Sequence, residues 1–584
     1  MRKLIFFTIL FCLSCQVNLT KHADLVILNG NIATLDEENL NPEAIALSNG
    51  KIMAVGPEGE IRDLIGEDTK ILDAEGLFVM PGLIEGHGHL SGLGTSLSNL
   101  NFLNASSWEE ITESVGIRAE NLEDGIWIYG SGWHQEKWDS TPVKNLFGYP
   151  YHNDLSAVSP DNPVLLKHAS GHAILVNQAA MKYAGVSVET PNPSGGAILR
   201  DERGDPIGIF EENATALIER AYKEYLAKRT PREELAEWYK GISLAQKECL
   251  AKGITSFQDA GSGLDMIERY KTMARNGELD LRLWVMIRDD LDRLRSAISA
   301  FPIVGYSDDF LTVRAIKAMV DGALGSFGAW LLRPYYDKSG FTGQNTTDIS
   351  KLRENGNFAI ENGLQYCVHA IGDRGNRTVL DIFEQIFNEH PDKQDLRWRI
   401  EHAQHLDTAD IPRFADLQVI ASVQGIHCTS DAPFVEKRLG LFRARHGSYA
   451  WRSLLDHGVV IANGTDTPVE DVNPFASIYA SVTRRRVDDG MVFYPEQKMT
   501  RKEALHSYTL GNAYAAFEEK IKGSLEVGKL ADVVVLSKDL LNCEDEEILE
   551  TEVIYSIVGG EVKYKAPNSK PLNSANPRNR PIAE

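Results

Sequence analysis

Histidines at positions 87 and 89 are the first residues of this chain whose type and spacing suggest chemistry. They close a short apolar run and are separated only by Gly88. Successive side chains of a strand point to opposite faces, so two histidines at i and i+2 point the same way and can bind one metal ion. An accidental pair on a surface loop has the same spacing. The pair therefore predicts a metal site only if other segments supply further ligands.

Four more ionisable residues stand at or just after the ends of apolar segments: Lys317, His369, His402 and Asp466. Imidazoles and carboxylates suit zinc or a similar divalent ion and leave positions open for water. Taken singly, His369 and His402 are more often structural histidines, and Lys317 is as readily paired with Asp321 in a buried ion pair. Lysine is a poor metal ligand because its ammonium must first lose a proton, whereas carbamylation by carbon dioxide would supply an anionic oxygen. A complete set at successive strand ends is far less expected by chance and predicts a divalent metal centre.

The elements that must position these residues are short apolar strands that alternate with helical stretches, which indicates a parallel α/β core. The predicted strands are one that ends near His89, then 254–259, 281–287, 311–319, 364–370, 398–403, 419–424 and 459–464. A helix with Thr230 as N-cap, Pro231 at its first position and Glu233 completing a capping box leads into the second strand. These strands number as many as those of the (β/α)8 barrel, whose catalytic groups lie at the C-terminal strand ends.

The alternation of side chains along two of these strands places ionisable residues above small or apolar ones. Val313, Ala315 and Lys317 are predicted to share one face of their strand. Cys367 and His369 share a face of the next strand in the same way. We expect these faces to form the packed inner layers of the barrel.

The two ends of the chain predict a second domain. Short β patterns with hairpin signals occur in residues 23–80 and again in 520–566, and chain termini usually lie close together. We therefore predict one composite β-sandwich domain built from both ends, with a barrel domain at 81–519. Residues 101–230 are too many for a strand–helix loop and predict an insertion after the first barrel strand. Residues 567–584, rich in proline, asparagine and serine, are predicted to be a disordered tail.

The first residues have the layout of an export signal. Arg2 and Lys3 precede an apolar segment, and Cys15 follows it. This pattern predicts a bacterial lipoprotein signal at 1–14 and a lipidated linker at 15–22 that begins with Cys15. An ordinary secretory signal cut nearby is the alternative. Both interpretations predict an exported protein, and the first places it at the cell envelope, in the outer membrane or periplasm if the cell is Gram-negative.

Charge excludes some classes of partner. The 584 residues include 60 basic and 83 acidic side chains, which gives a formal net charge of -23. Such a chain repels nucleic acid and anionic lipid headgroups, so membrane contact is expected only through a lipid on Cys15. The cysteines left after processing are far apart and are predicted to be buried and structural: Cys249, Cys367, Cys428 and Cys543.

The order His-x-His, Lys, His, His, Asp resembles that of the amidohydrolase superfamily. Local strings are similar to the branch that contains N-substituted formamide deformylase: IKAMVDG at 316–322, HAIGD at 369–373, RIEHAQ at 399–404 and GTDTPV at 464–469. The likeness covers roughly residues 23–564. Glu85-Gly86, where the family usually has Asp-Ser, and Gly88, where valine is common, depart from the pattern without touching a ligand.

The resemblance implies a metal-dependent hydrolase of amide-type carbon–nitrogen bonds on a (β/α)8 barrel. It implies these ligands: His87, His89 and Asp466 for one ion, His369 and His402 for the other, and carbamylated Lys317 as the bridge. Two zinc ions are expected, with a single ion, manganese or iron left open. A hydroxide bridging the two ions would attack the carbonyl carbon, with Asp466 as general base and then general acid.

Substrate contacts are expected from the strand-end loops and from the insertion. His172 is the first candidate, as a donor to the substrate oxygen, with a structural histidine at a helix start as the alternative. Gln424 and His427 follow the seventh strand and are candidate pocket walls, or they support metal ligands from behind. Trp133 and Trp138 either shape the pocket or pack in the insertion. The partner is a small amide-type molecule, and a homodimer is left open. A deaminase or esterase on the same barrel, and an inactive surface binding protein, are the alternatives.

Overall fold

The computed structural model describes residues 22–36, 42–103, 105–135, 138–169, 173–193, 196–325 and 327–574. The predicted signal, Cys15, His172 and the last ten residues of the tail lie outside these ranges. Within the described ranges, no helix combines the length and the apolar character that a membrane span requires.

The N-terminal segment is mostly strand. Its elements are β1 (Leu25–Leu28), β2 (Asn31–Ile32), β3 (Ala44–Ser48), β4 (Lys51–Gly56), α1 (Glu58–Arg62), β5 (Lys70–Asp73) and β6 (Phe78–Pro81). The first barrel strand and its helix follow directly: β7 (Leu83–Gly88) and α2 (Leu90–Ser98). Because only Gly82 separates β6 from β7, the small sheet fixes where the barrel begins.

The inserted segment forms a sheet of its own. Its elements are β8 (Leu100–Asn101), α3 (Trp108–Glu120), β9 (Ile128–Trp133), β10 (Asn145–Leu146), β11 (Tyr149–Pro150), α4 (Asn153–Val158), β12 (Val164–His168), β13 (Ala173–Val176), α5 (Gln178–Tyr183), β14 (Gly196–Arg200), β15 (Pro206–Glu212) and α6 (Thr215–Leu226). Six of these strands pair in the order β14-β15-β13-β12-β9-β8. Trp133 and Trp138 are buried in its core beside Trp108, so they pack inside the insertion.

The remaining barrel elements alternate strand and helix. They are α7 (Pro231–Ala251), β16 (Ile254–Ser262), α8 (Leu264–Asn276), β17 (Arg282–Ile287), α9 (Leu291–Ala297), β18 (Ile303–Gly305), α10 (Tyr306–Asp309), β19 (Leu311–Met319), α11 (Ile349–Glu361), β20 (Gln365–Ala370), α12 (Asp373–Glu389), β21 (Arg399–His402), α13 (Ile411–Asp416), β22 (Ile420–Gln424), α14 (His427–Ser430), α15 (Ala432–Leu439), α16 (Leu441–Gly447), α17 (Trp451–Asp456), β23 (Ile461–Gly464), α18 (Pro474–Thr483), α19 (Arg501–Ser507) and α20 (Leu510–Ala515).

The strands of the barrel pair in the order β7-β16-β17-β19-β20-β21-β22-β23. All of these pairs are parallel. The predicted (β/α)8 class is confirmed. The predicted start of α7 is also present, because Thr230 and Glu233 form both halves of a capping box.

The last strands return to the small sheets. They are β24 (Val533–Leu536), β25 (Val553–Val558), β26 (Glu561–Lys565) and β27 (Asn573–Ser574). One sheet combines both chain ends in the order β2-β6-β24-β25-β26, and the other has the order β27-β5-β1-β3-β4. The predicted disordered tail at 567–584 is contradicted at Asn573 and Ser574, since β27 pairs with β5. The short strand has few side chains of strand-forming type, so composition alone favoured disorder.

The inside of the barrel holds a layer of mostly small and apolar side chains: Ala260, Trp284, Met286, Ala315, Cys367 and Ala516. Ala315 and Cys367 lie there as predicted, but Val313 packs in the main core instead. The ladder pairs Val285 with Val313 and Met286 with Ala315, so Arg314 is an extra residue. This bulge changes the face on which the earlier residues of β19 lie.

Side chains join β7 to β23 where the barrel closes. Nδ2 of Asn512 donates to the carbonyl oxygens of Ile84 at 2.6 Å and of Asn463 at 2.8 Å. Its Oδ1 accepts from the backbone N–H of Asn463 at 3.0 Å. Beyond this point, the N–H of Asp466 donates to the carbonyl of His87 at 2.8 Å. The closure therefore places the last predicted ligand beside the first.

Glu85 strengthens the same closure. Its carboxyl group accepts from the backbone N–H of Thr465 at 2.6 Å and from the Thr465 hydroxyl at 3.1 Å. Burial raises the pKa of Glu85 to about 8. An added Cβ at the neighbouring Gly86 would lie 2.5 Å from the carbonyl oxygen of Asn463, so this position has room only for glycine. Glu85 and Gly86 thus both take part in the closure of the barrel.

Candidate metal centre

Three predicted ligands meet at the C-terminal mouth of the barrel. Oδ1 of Asp466 lies 3.2 Å from Nε2 of His89 and 3.6 Å from Nε2 of His87. One ligand atom from each of the three lies within 4.8 Å of the others, close enough to share an ion. His87 and Asp466 are buried, whereas 32% of the His89 side chain is exposed. The group therefore opens to solvent on the side of His89.

Asp466 is held in an unusual state. Burial alone would raise the pKa of Asp466, but the hydrogen bond with His89 and the nearby His87 hold it well below its ordinary value. Its φ of +59° lies in the left-handed region, which few residues other than glycine adopt. A buried, ionised residue in a sparsely populated backbone conformation is typical of a functional site.

His369, His402 and His427 form a second group of imidazoles beside the first. The ring centroids of His369 and His402 lie 4.5 Å apart, and those of His402 and His427 lie 6.3 Å apart. Ligand atoms of His402, His427 and Asp466 lie within 4.8 Å of one another. His427, predicted as a pocket wall, thus stands close enough to be a ligand itself.

Two nitrogens of this group test whether a metal ion fits. Within the described part of the chain, Nε2 of His369 and Nε2 of His427 are buried and have no hydrogen-bond partner. Leaving a buried polar atom unpaired is costly, and a metal ion or a hydrogen-bonded ligand would satisfy such a nitrogen. Burial, reinforced by neighbouring positive groups, lowers the pKa of His369 to about 3 and that of His402 well below its usual value. The rings of His369 and His402 are therefore neutral, the form that binds metals, and the donor set fits a divalent ion.

Lys317 lies between the two groups. Its Nζ is 3.3 Å from Nε2 of His87, and the side chain is buried. Asp321, the alternative ion-pair partner, instead accepts from the backbone N–H groups of Trp330 and Gly372, both at 2.8 Å. Among the described residues, no carboxylate oxygen lies within 4.0 Å of the Lys317 amine. Burial lowers the pKa of Lys317, which favours the neutral amine that carbon dioxide can carbamylate.

Residues 70–564 match the model of the amidohydrolase family, and this range contains every predicted ligand. This chain belongs to the amidohydrolase family. Protein LONG AFTER FAR-RED 3 of Arabidopsis thaliana is 33% identical over 93% of this chain and 92% of that protein. N-substituted formamide deformylase of Arthrobacter pascens is 28% identical over 94% of this chain and 100% of its own length. An uncharacterized metal-dependent hydrolase from Pyrococcus horikoshii OT3 has a similar structure, with a TM-score of 0.71 and 25% identity over 89% of this chain and 99% of that chain.

The family predicted from the sequence is therefore confirmed. The amidohydrolase is a metal-dependent hydrolase that acts on carbon–nitrogen bonds. Its cofactor is a divalent metal ion, in agreement with the neutral imidazoles and ionised carboxylate at the barrel mouth.

Two predicted ligand histidines of the amidohydrolase are held from behind by neighbouring strands. The carboxylate of Glu401 on β21 is hydrogen-bonded to Nδ1 of His87 on β7. Nδ1 of His402 lies 2.7 Å from Oε1 of Gln424. Arg399 pairs with Glu401 at 2.7 Å and keeps that carboxylate in place. Each contact occupies Nδ1 and leaves Nε2 for a metal ion, which is the usual role of such partners.

Glu401 and Arg399 have no role in the sequence prediction. A regular strand puts neighbours such as Glu401 and His402 on opposite faces. Here β21 ends at His402, whose φ of +76° breaks the alternation, so both side chains reach the site. The sequence signal that could have revealed these two residues is the i, i+2 spacing of Arg399 and Glu401, because this spacing directs both side chains into the barrel.

Two loops of the amidohydrolase cover one side of the mouth. The loop after β19 meets the helices after β22, since Nη2 of Arg438 donates to the carbonyl of Gly325 at 3.1 Å. The N–H of Tyr336 in turn donates to the carbonyl of Arg438 at 2.7 Å. In the sheet, β20 and β21, which carry His369 and His402, lie between the two strands that these segments follow. The open side is that of His89.

Proposed function

We propose that this amidohydrolase cleaves an amide-type carbon–nitrogen bond of a small molecule, with two zinc ions bridged by carbamylated Lys317. One observation carries the proposal: the Lys317 amine is buried 3.3 Å from His87, with no carboxylate partner among the described residues. A buried amine without a carboxylate partner is poorly placed to carry a positive charge, whereas a carbamate would be an anionic ligand. The relative named N-substituted formamide deformylase supports an amide-type substrate.

Each side chain of the centre then has a role. His87, His89 and Asp466 would hold one ion. His369 and His402, whose ring centroids lie 4.5 Å apart, would hold the other. When bound, such ions lower the pKa of water and polarise a carbonyl oxygen.

Asp466 takes the proton of the attacking water on its carboxylate and passes it to the departing nitrogen. The buried His427 faces the same space and would donate a hydrogen bond to the substrate oxygen. His172 is proposed as a second donor from the insertion.

We also propose that the enzyme is exported and anchored at the cell envelope by a lipid on Cys15. The support is the order of Arg2, Lys3, an apolar segment and Cys15 in the sequence. The net charge of -23 makes nucleic acid and anionic lipid surfaces poor partners. Replacing Cys15 by alanine should release the protein from membranes into the soluble fraction. Membrane association equal to that of the wild type would contradict the anchor.

Metal content and turnover test the proposed chemistry together. Protein lacking the residues up to Cys15, prepared with zinc and bicarbonate, should hold about two ions per chain and cleave members of a panel of formamides, N-acyl amino acids, hydantoins and esters. A chelator should abolish turnover, and zinc should restore it. Lys317→Ala should lower the metal content, whereas Lys351→Ala on the surface helix α11 should not. Protein without bound metal, inactive on every amide after zinc or manganese is added, would overturn the proposal.

A further inference from the structure

Arg288 follows the third barrel strand and has no assigned role. Trp284 and Met286 of β17 belong to the inner layer of the barrel, and Arg288 stands two residues beyond Met286 on the same face. The ladder pairs Met286 with Ala315, which lies two residues before Lys317. Arg288 and Lys317 therefore occupy the same level of neighbouring strands. On the third strand, Arg288 holds the position that Lys317, the proposed bridging ligand, holds on the fourth.

Close packing keeps this side chain at the mouth. A Cβ added to Gly261, at the end of β16, would lie 3.0 Å from both Cβ and Cδ of Arg288 and 3.5 Å from Cγ of Lys317. The guanidinium reaches across to β19, where its Nη2 lies 3.2 Å from Sδ of Met319. A thioether sulfur is a weak acceptor, so this contact leaves most of the donors of Arg288 unused.

Nearby carboxylates do not neutralise Arg288. In the described ranges, no carboxylate oxygen lies within 4.0 Å of its guanidinium. Asp289 instead accepts from Arg293 at 3.0 Å, and Asp290 caps α9 by accepting from the N–H of Asp292 at 2.9 Å. Arg288 is exposed, in a chain with 83 acidic and 60 basic side chains. A cation at the mouth is thus available to a ligand although acidic groups outnumber basic ones.

We propose that Arg288 binds a carboxylate of the substrate, so that the enzyme prefers N-acyl amino acids and related amides that carry a carboxylate near the scissile bond. The inference rests on the proposed amide hydrolysis and adds the substrate class. A guanidinium presents a planar pair of donors that matches a carboxylate, which fixes orientation as well as position. A substrate held by Arg288 is oriented with its amide towards Asp466 and the metal ligands.

The experiment compares two substrates that differ in one group. Formate release from N-formylleucine and from N-formylleucinamide is measured with the zinc-loaded wild type, Arg288→Met and Arg288→Lys. Arg288→Met should raise the KM for N-formylleucine about tenfold with little change in kcat, because one charge-assisted contact is lost. The KM for the uncharged amide should not change. Arg288→Lys should recover only part of the affinity. The control is Arg295, whose guanidinium pairs with Glu354 at 2.8 Å on the outer surface, and Arg295→Met should match the wild type.

Calorimetric binding of N-formylleucine to wild type and Arg288→Met separates this inference from the proposed function. Weaker binding to the variant supports the carboxylate anchor even if neither compound is hydrolysed, a result that would count against the proposed reaction. Hydrolysis of both compounds with identical KM values in wild type and Arg288→Met would overturn the anchor and leave the reaction standing. Failure of the wild type to bind N-formylleucine would also overturn the anchor.

Discussion

Glu401 and His87 are joined across the inside of the barrel, the carboxylate accepting from Nδ1 of the ring. Burial would raise the pKa of Glu401, but Arg399 and His87 hold it well below its usual value. The ionised carboxylate fixes the orientation of the imidazole and makes its free nitrogen a better ligand. The proposed metal centre therefore depends on a fully buried carboxylate behind His87.

Glu401→Gln should weaken zinc binding about tenfold to a hundredfold, because a neutral amide replaces the carboxylate behind His87. Turnover should fall at limiting zinc and recover largely at high zinc. Zinc titration with a competing chelator measures the affinity. Glu354→Gln, on the outside of the barrel, is the matched control and should bind zinc like the wild type. Equal zinc affinity in Glu401→Gln and the wild type would show that the contact does not tune the metal.

Asp466→Asn should keep the fold but lose at least about a hundredfold in kcat, because the amide cannot accept the proton of the attacking water. Circular dichroism and thermal unfolding check the fold, and bound metal is measured in the same samples. The surface variant Asp456→Asn should keep wild-type activity. Turnover of Asp466→Asn within a few-fold of the wild type, at matched metal content, would remove the carboxylate from the mechanism.

The barrel could be predicted because its strands are short apolar runs in the sequence, and several of these runs end at or near an ionisable residue. The fourth barrel strand, expected at 311–319, is β19 at Leu311–Met319. The alternation rule worked wherever the backbone is regular, as for Cys367 and His369 on β20. It failed at Val313, because the bulge at Arg314 depends on the fit between β19 and β17 rather than on local sequence.

Other parts of the site depend on which strands become neighbours in space. Asn512 follows the barrel strands in the chain and yet binds the backbones of the first and the last. The contact of Glu401 with His87 joins residues 314 positions apart. The local sequence around Asn512 or Glu401 does not indicate which residue each will contact. The left-handed backbone at His402 and Asp466 is likewise a feature that the local sequence does not specify, although Asp and His adopt it more readily than most residues.

Asn512→Ala should lower the free energy of unfolding by about 2–4 kcal/mol, because it leaves backbone groups of Ile84 and Asn463 buried without partners. Urea unfolding and the thermal midpoint measure the loss. Asn276→Ala, at the exposed end of α8, is the control and should change stability little. Asn512→Asp keeps the acceptor for Asn463 but loses the donors, and it places a carboxyl group at a fully buried position. Its loss of stability should therefore be larger than that of Asn512→Ala. A loss in Asn512→Ala no greater than in the control would mean that the barrel closes without this side chain.

His405 predicts how stability changes with acid. It is 2% exposed, its Nδ1 lies 2.9 Å from the Ser448 hydroxyl, and within the described ranges its Nε2 has no partner. Burial, and next the charge of Arg443, lower the pKa of His405 in the folded state to about 3, against 6.5 ordinarily. Between these values the unfolded chain binds a proton that the folded chain does not. This residue therefore costs no stability above about pH 6.5 and lowers it progressively below that pH.

The free energy of unfolding of the wild type should fall by about 1 kcal/mol more than that of His405→Gln between about pH 7 and pH 5.5, since each pH unit below the unfolded pKa costs about 1.4 kcal/mol per proton. Urea unfolding at both pH values gives the change in the free energy of unfolding with pH for each protein. Metal-free proteins are used so that metal release does not contribute. His457→Gln, at an exposed position, should keep the wild-type slope. If His405→Gln loses as much stability on acidification as the wild type, the buried ring must already take up a proton in the folded protein.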